Sequence, residues 1–163
     1  METCNLLNCR SPRVSHLVES GLINEYKFNG NKYYERIELE RYLKTVTENW
    51  SFQQACQKLN VSKTTILRLI DAKIIHTLIK PTKHNRDWLI DKKATVALIS
   101  KLKRNACFED NLTKCYSFQG FLKLGNSYED TLCMMLEQQI AYKFKADQEN
   151  PYGLHQFIDL QVI

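Results

Sequence analysis

The chain has 163 residues, 44% of them hydrophobic and 25% charged, a balance that suits packed cores and excludes a largely disordered polymer. No apolar run approaches the roughly 20 residues a membrane helix needs, and no basic-then-apolar leader opens the chain, so a cytoplasmic protein with no membrane contact is expected. The net charge of +5 is unevenly spread: Lys and Arg against Asp and Glu number seven to seven in 1–50, twelve to three in 51–106 and four to eight in 107–163, so the middle third holds the positive excess.

In chain order, the first element is the stretch "LLNCRSPRVSHLVESGLI", residues 6–23. Shifted by fifty-two residues it lies without a gap on "KLNVSKTTILRLIDAKII", residues 58–75. Leu7 meets Leu59, Asn8 meets Asn60, Val14 meets Ile66, Leu17 meets Leu69, Val18 meets Ile70, and Leu22-Ile23 meet Ile74-Ile75. A repeated apolar register of this kind predicts several small units rather than one large core. In the second copy Phe52, Ala55, Cys56 and Leu59 fall at helical spacing, Asn60-Val61 breaks the pattern, and Ser62 is a good N-cap for a helix through "KTTILRLIDA". Ile66, Leu69 and Ile70 form the buried stripe of that helix, leaving Lys63, Thr64, Thr65 and Arg68 outward. Two short helices joined by a tight turn, the second polar at its start, make a helix-turn-helix.

Each copy is followed by a predicted hairpin. "NEYKFNGNKYYER" alternates aromatic and polar residues around Asn29-Gly30. "HTLIKPTKHNRDWLID" sets two apolar segments about a turn of Pro, Lys, His and Asn. A third helix then follows each, through "ELERYLKTV" and "KKATVALISKLKRN". A worn third copy begins at Ser117-Phe118-Gln119, aligns Ser127 with Ser62 and Ile140 with Ile75, and needs one inserted residue. It is expected to end in a short wing, "YKFKADQENPYGL", and a final helix around Leu154 to Leu160. The fold expected is mainly α with small β-hairpin wings, in tandem winged helix-turn-helix units at 1–48, 49–106 (the basic one) and 107–163. The first copy lacks residues matching Ser51-Phe52, so either its first helix is short or the chain is cut from a longer protein.

"LNVSKTTILRLIDAKII" with its basic hairpin resembles the MerR/excisionase class of winged helix-turn-helix domains, and "SHLVESGLI", with Gly21, is similar to the ending of their second helix. Lys73 stands for that glycine in the second unit, and Gln138 or Gln139 in the third. Tandem modules of this kind also resemble the C-terminal part of TniQ/TnsD-type proteins that select transposon targets. The resemblance implies DNA binding in transposition, recombination or transcription.

The residues themselves point to double-stranded DNA as the partner. Binding it requires cations against phosphates, a narrow polar helix for the major groove and a second contact that sets register. Ser62, Lys63, Thr64, Thr65 and Arg68 supply the helix, with Arg68 suited to a guanine edge. Lys80, Lys83, His84 and Arg86 in the second hairpin supply the other contact, with Lys101, Lys103 and Arg104 toward flanking phosphates. Arg10, Ser11, Arg13 and His16 form the corresponding set in the neutral first unit, with Lys27, Asn31 and Lys32 in its hairpin; that unit either binds DNA or packs on a partner. The third unit carries Glu129, Asp130 and Glu137 at the equivalent place, which repel phosphate, so 107–163 is read as a protein-contact or self-association region, or as a cap. The competing reading of the whole is a protein-interaction scaffold.

No catalytic role is expected, since no P-loop, GxGxxG, HExxH or GxSxG occurs. Six cysteines without a CxxC pair argue against metal, no cofactor is implied, and Cys56, Cys107 and Cys133 are read as reduced thiols at apolar positions.

Overall fold

The structure, a computed structural model, describes residues 2–83, 85–107 and 115–162. Helices dominate and the strands form small antiparallel sheets. The chain groups into two compact units, residues 1–52 with 77–90 and residues 53–76 with 91–163.

The first unit opens with α1 (Glu2–Leu6) and α2 (Ser11–Glu19). Strands β1 (Tyr26–Phe28) and β2 (Asn31–Tyr33) form a hairpin whose turn holds Asn29 at φ 48° and Gly30 at φ 78°. Two consecutive positive φ angles are what the Asn-Gly pair supplies in a tight hairpin turn. Helix α3 (Arg36–Glu48) follows. Leu7, Val14, Leu17, Ile23 and Leu39 make the buried cluster here, with Val18, Leu22, Tyr42 and Leu43 packed against it. Strands β3 (Trp50–Ser51), β4 (Thr77–Ile79) and β5 (Leu89–Ile90) complete the unit as a sheet in the order β3-β5-β4, with Ile90 opposite both Trp50 and Thr77.

The second unit contains α4 (Phe52–Leu59), α5 (Lys63–Asp71), α6 (Lys92–Asn105), α7 (Phe118–Leu122) and α8 (Tyr128–Leu136). Strands β6 (Ile140–Phe144) and β7 (Phe157–Val162) pair antiparallel around a short 3-10 turn, Leu154–Gln156. Both α5 and α6 pack on α8, which also meets β6, while α7 lies on β7. Leu59, Ile66, Leu69, Leu102, Leu132, Met135, Tyr142, Phe157 and Leu160 are almost wholly buried. The Tyr142 hydroxyl donates to the Leu102 carbonyl at 2.7 Å, and burial pushes its pKa up.

Local geometry recurs at the register of the sequence repeat. Asn8 (φ 48°), Asn60 (φ 53°) and Gly125 (φ 98°) occupy the left-handed region in the first turn. Gly21 (φ 70°), Lys73 (φ 59°) and Gln138 (φ 59°) do so after the second helix. The helix ends share one hydrogen-bond scheme: Leu22, Ile74 and Gln139 each donate a backbone N–H to Leu17, Leu69 and Met134, all at 2.9 Å. This is a Schellman closure, which satisfies the last carbonyls of a helix and favours glycine at the left-handed site.

The segment around Leu154 to Leu160, expected as a helix, is instead the 3-10 turn and strand β7. Phe157, Ile158 and Val162 are strand formers, and β6 and Tyr116 supply the cross-strand partners. Asp159 at φ 55° lies where the β6–β7 register shifts. The wing expected for this region therefore begins with β6 and closes one element later than anticipated. Cys133 is exposed on α8, against the expectation of a buried thiol; Cys56 and Cys107 are half-buried.

The left-handed sites make a test. A Cβ at Gly21 would meet nothing within 4 Å, so Gly21→Ala carries only the backbone cost and should lower stability by about 1 kcal/mol in urea unfolding. Lys73→Gly relieves the same strain and should raise stability by up to about 1 kcal/mol.

Candidate nucleic-acid interface

The turn between α4 and α5 is short because two backbone bonds close it: Asn60 N–H to the Gln57 carbonyl at 3.3 Å and Val61 N–H to the Cys56 carbonyl at 3.1 Å. Ser62 then caps α5, its hydroxyl oxygen accepting from the Thr65 N–H at 3.1 Å. The Ser62 and Thr65 hydroxyls also bond each other at 2.9 Å. Both side chains are thus committed to starting the helix, and Thr65 is half-buried.

Ile66, Leu69 and Ile70 are buried, which fixes the outward face of α5. That face presents Lys63, Thr64, Leu67 and Arg68, all exposed and adjacent at helical spacing. Leu67, 39% exposed, is absent from the sequence-derived set. Its position three residues after Thr64 and one before Arg68 is the signal that would have found it. A leucine among donors is suited to a thymine methyl group, and Arg68 to a guanine edge. Beside the start of α5 a groove of ≈ 510 Å³ is lined by Cys56, Gln57, Asn60, Ser62, Thr65, Gln119 and Tyr128, so the C-terminal helices flank the start of α5.

The remaining basic residues divide by what already holds them. Lys101 and Arg104 are exposed on α6. Lys103 is folded back, its ammonium 4.6 Å from the Phe144 ring centre and donating to the Pro151 carbonyl at 2.8 Å. On α8, Asp130 accepts from the Ser127 hydroxyl at 2.6 Å while its N–H is capped by that hydroxyl at 3.0 Å. Its carboxylate, with that of Glu129, sits where a helix dipole favours negative charge.

In the first unit, Arg10, Ser11 and His16 are exposed on or just before α2, and Arg10 makes no side-chain cap. Arg13 behaves differently. Its guanidinium donates to Asn85 Oδ1 at 3.0 Å and forms an ion pair with Asp87. Asn85 is buried and also organises its own loop, accepting from the Asp87 N–H at 3.1 Å and donating its N–H to Thr82 Oγ1 at 3.0 Å. Arg13 is therefore spent on holding the loop between β4 and β5. Along that loop Lys80, Lys83 and Arg86 are exposed, Trp88 stacks obliquely on Phe52 with ring centres 5.8 Å apart, and His84 lies outside the described residues. Neither Asn85 nor Asp87 carried a periodic signal, since their partner is 72 to 74 residues away.

Among the described residues no cluster of His, Cys, Asp and Glu is placed to hold a metal, and no helix is long and apolar enough to cross a membrane.

One comparison with known proteins bears on this segment. Residues 51–101 match the family model described as a helix-turn-helix domain, which supports an excisionase-like DNA-binding module over that segment. No curated protein and no solved structure matches the chain.

Two substitutions test the local construction. Ser62→Ala should cost about 1 kcal/mol through loss of the α5 cap. Arg13→Ala leaves buried Asn85 short of a partner and should cost about 1–2 kcal/mol. Both are read from denaturant unfolding.

Proposed function

We propose that this protein binds double-stranded DNA in a sequence-specific manner through α5, and that it does so without catalysing a reaction. The observation that carries the reading is a coincidence in one segment. The helix-turn-helix match at 51–101 falls on a segment with ten Lys and Arg against three acidic residues, and there α5 turns Lys63, Thr64, Leu67 and Arg68 outward. Phosphate neutralisation needs that charge, and base reading needs that helix face. The exposed Lys80, Lys83 and Arg86 suit a wing that touches the DNA backbone.

The tandem reading is supported by the shared left-handed positions at Asn8 and Gly21, Asn60 and Lys73, and Gly125 and Gln138. On it, the chain is a series of winged helix-turn-helix units of MerR/excisionase type in which the second reads DNA. Site selection in transposition or recombination, or transcription regulation, is the corresponding role.

A second reading has its own observation. The β1–β2 hairpin leaves Tyr26, Phe28 and Tyr33 exposed, Phe28 at 67%, and Glu25 pairs both neighbouring cations, Lys27 and Lys32. A neutralised aromatic surface suits a protein partner better than phosphate, so the first unit serves as a protein contact on this reading. For residues 107–163, exposed Leu124 and Val162 support the same role or self-association.

Salt titration with random duplexes, followed by selection of the bound sequences, separates the readings. DNA binding requires affinity to fall steeply with salt. Lys63→Ala should reduce the log–log salt slope by about 1, one phosphate-facing cation being lost, whereas Arg68→Ala should cost about 1–3 kcal/mol of binding and relax specificity at one base pair. Lys63→Glu with Arg68→Glu should abolish binding while circular dichroism stays native. Unchanged binding in that variant means α5 is not the reading helix, and an absence of duplex binding by the native chain leaves the scaffold reading.

A further inference from the structure

The loop between β6 and β7 is far from α5 in sequence, yet it reaches the turn that aims α5. Asn60, the left-handed residue of that turn, donates its side-chain amide to Nδ1 of His155 at 3.0 Å. Nε2 of the same ring donates to Asp147 Oδ2 at 3.0 Å. The two bonds together define one neutral tautomer, with the proton on Nε2 and the lone pair of Nδ1 facing Asn60. Asn150 adds a second hold, its amide donating to the Gln57 carbonyl at 3.3 Å. Gln57 is the residue whose carbonyl also closes the turn with Asn60.

The loop is built to keep that grip. Buried Gln156 donates to the carbonyls of Asn150 at 2.8 Å and Gly153 at 3.0 Å, and accepts from the Asp147 N–H at 3.0 Å. Asp147 Oδ1 accepts from the N–H groups of Glu149 and Asn150, at 3.0 and 3.3 Å. Lys103 ties the Pro151 carbonyl to α6. Gly153 is small for a steric reason, since a Cβ there would run into the His155 ring, while its φ of −63° is ordinary. The hydrogen bond from His155 holds the Asp147 carboxyl below the usual carboxylate range.

We infer that the 147–156 loop is a brace for the DNA-reading turn, and that His155 is a positioning residue that sets the aim of α5 by holding Asn60. This rests on α5 being the DNA-reading helix. On it, the C-terminal region belongs to the reader without itself meeting base or phosphate. A brace of two hydrogen bonds changes the population of correctly aimed turns and not the number of cations on the DNA. Its loss therefore lowers affinity at every salt concentration and leaves the salt slope alone.

The test uses the full chain and a selected duplex. His155→Ala should weaken binding about three- to tenfold, the range for one or two lost hydrogen bonds, with an unchanged salt slope. Gly153→Ala should do the same by displacing the ring. His155→Gln, whose amide can accept from Asn60 and donate to Asp147, should recover most of the affinity. Asn60→Gly keeps the left-handed turn and removes the held side chain, so adding His155→Ala to it should cause no further loss. Amide exchange at Val61 to Thr65 should quicken in His155→Ala, with or without DNA present. Native-level affinity in folded His155→Ala overturns the brace. A salt slope smaller by about 1 also overturns it, because His155 would then be meeting phosphate itself. If the native chain binds no duplex, the DNA reading falls, and unchanged exchange at Val61 to Thr65 then removes the brace as well.

Discussion

The burial of Ile66, Leu69 and Ile70 is the constraint on which the exposed face of α5 depends. Three aliphatic side chains on one stripe of a nine-residue helix have to leave water, at roughly 1.5–3 kcal/mol apiece. Helix α8 provides the surface that receives α5. Once that stripe is inward, helical geometry leaves Lys63, Thr64, Leu67 and Arg68 outward with no further instruction. The Ser62 cap sets where the helix begins, and the left-handed Asn60 sets its approach. The chemistry offered to a ligand is thus the complement of the chemistry required by the core.

The first repeat obeys the same core rule and arrives at a different surface. Val14 and Leu17 are buried as Ile66 and Leu69 are. The outward arginine of that helix, Arg13, is drawn to Asn85 and Asp87 and becomes part of the architecture of the β4–β5 loop. A guanidinium with a carboxylate and a buried amide already in place has little to offer a phosphate. Two helices with one backbone scheme have therefore diverged through the partners found by their polar residues.

Much of this was legible in the chain. The α4-turn-α5 pattern, the Ser62 cap and the Asn29-Gly30 hairpin follow from interactions within a few residues: capping, helical period and tolerance of positive φ. The same holds for the recurrence of left-handed sites at Gly21, Lys73 and Gln138. Strand β7 was less legible because Phe157 to Val162 is short and apolar, and only the presence of β6 as a partner decides between helix and strand. The exposure of Cys133 depended likewise on which face of α8 met its neighbours. Leu67 is a leucine outside the core, because its register with Thr64 and Arg68 turns it away from the Ile66, Leu69 and Ile70 stripe.

By itself the sequence determined the helix-turn-helix of α4 and α5, the recurrence of left-handed helix ends, the hairpins and the concentration of positive charge in the middle third. Those properties reside in local hydrogen bonding, side-chain period and composition, which need no distant partner. The tertiary structure decided which polar residues remain free to act. Lys103 is folded against Phe144 and Pro151, Arg13 is held by Asn85 and Asp87, and Asn60 is gripped by His155, whereas Lys63 and Arg68 stay on an open helix face. Competition for a charged or hydrogen-bonding group is settled by whatever the fold brings within about 3 Å of it, and those neighbours lie 41 to 95 residues away along the chain.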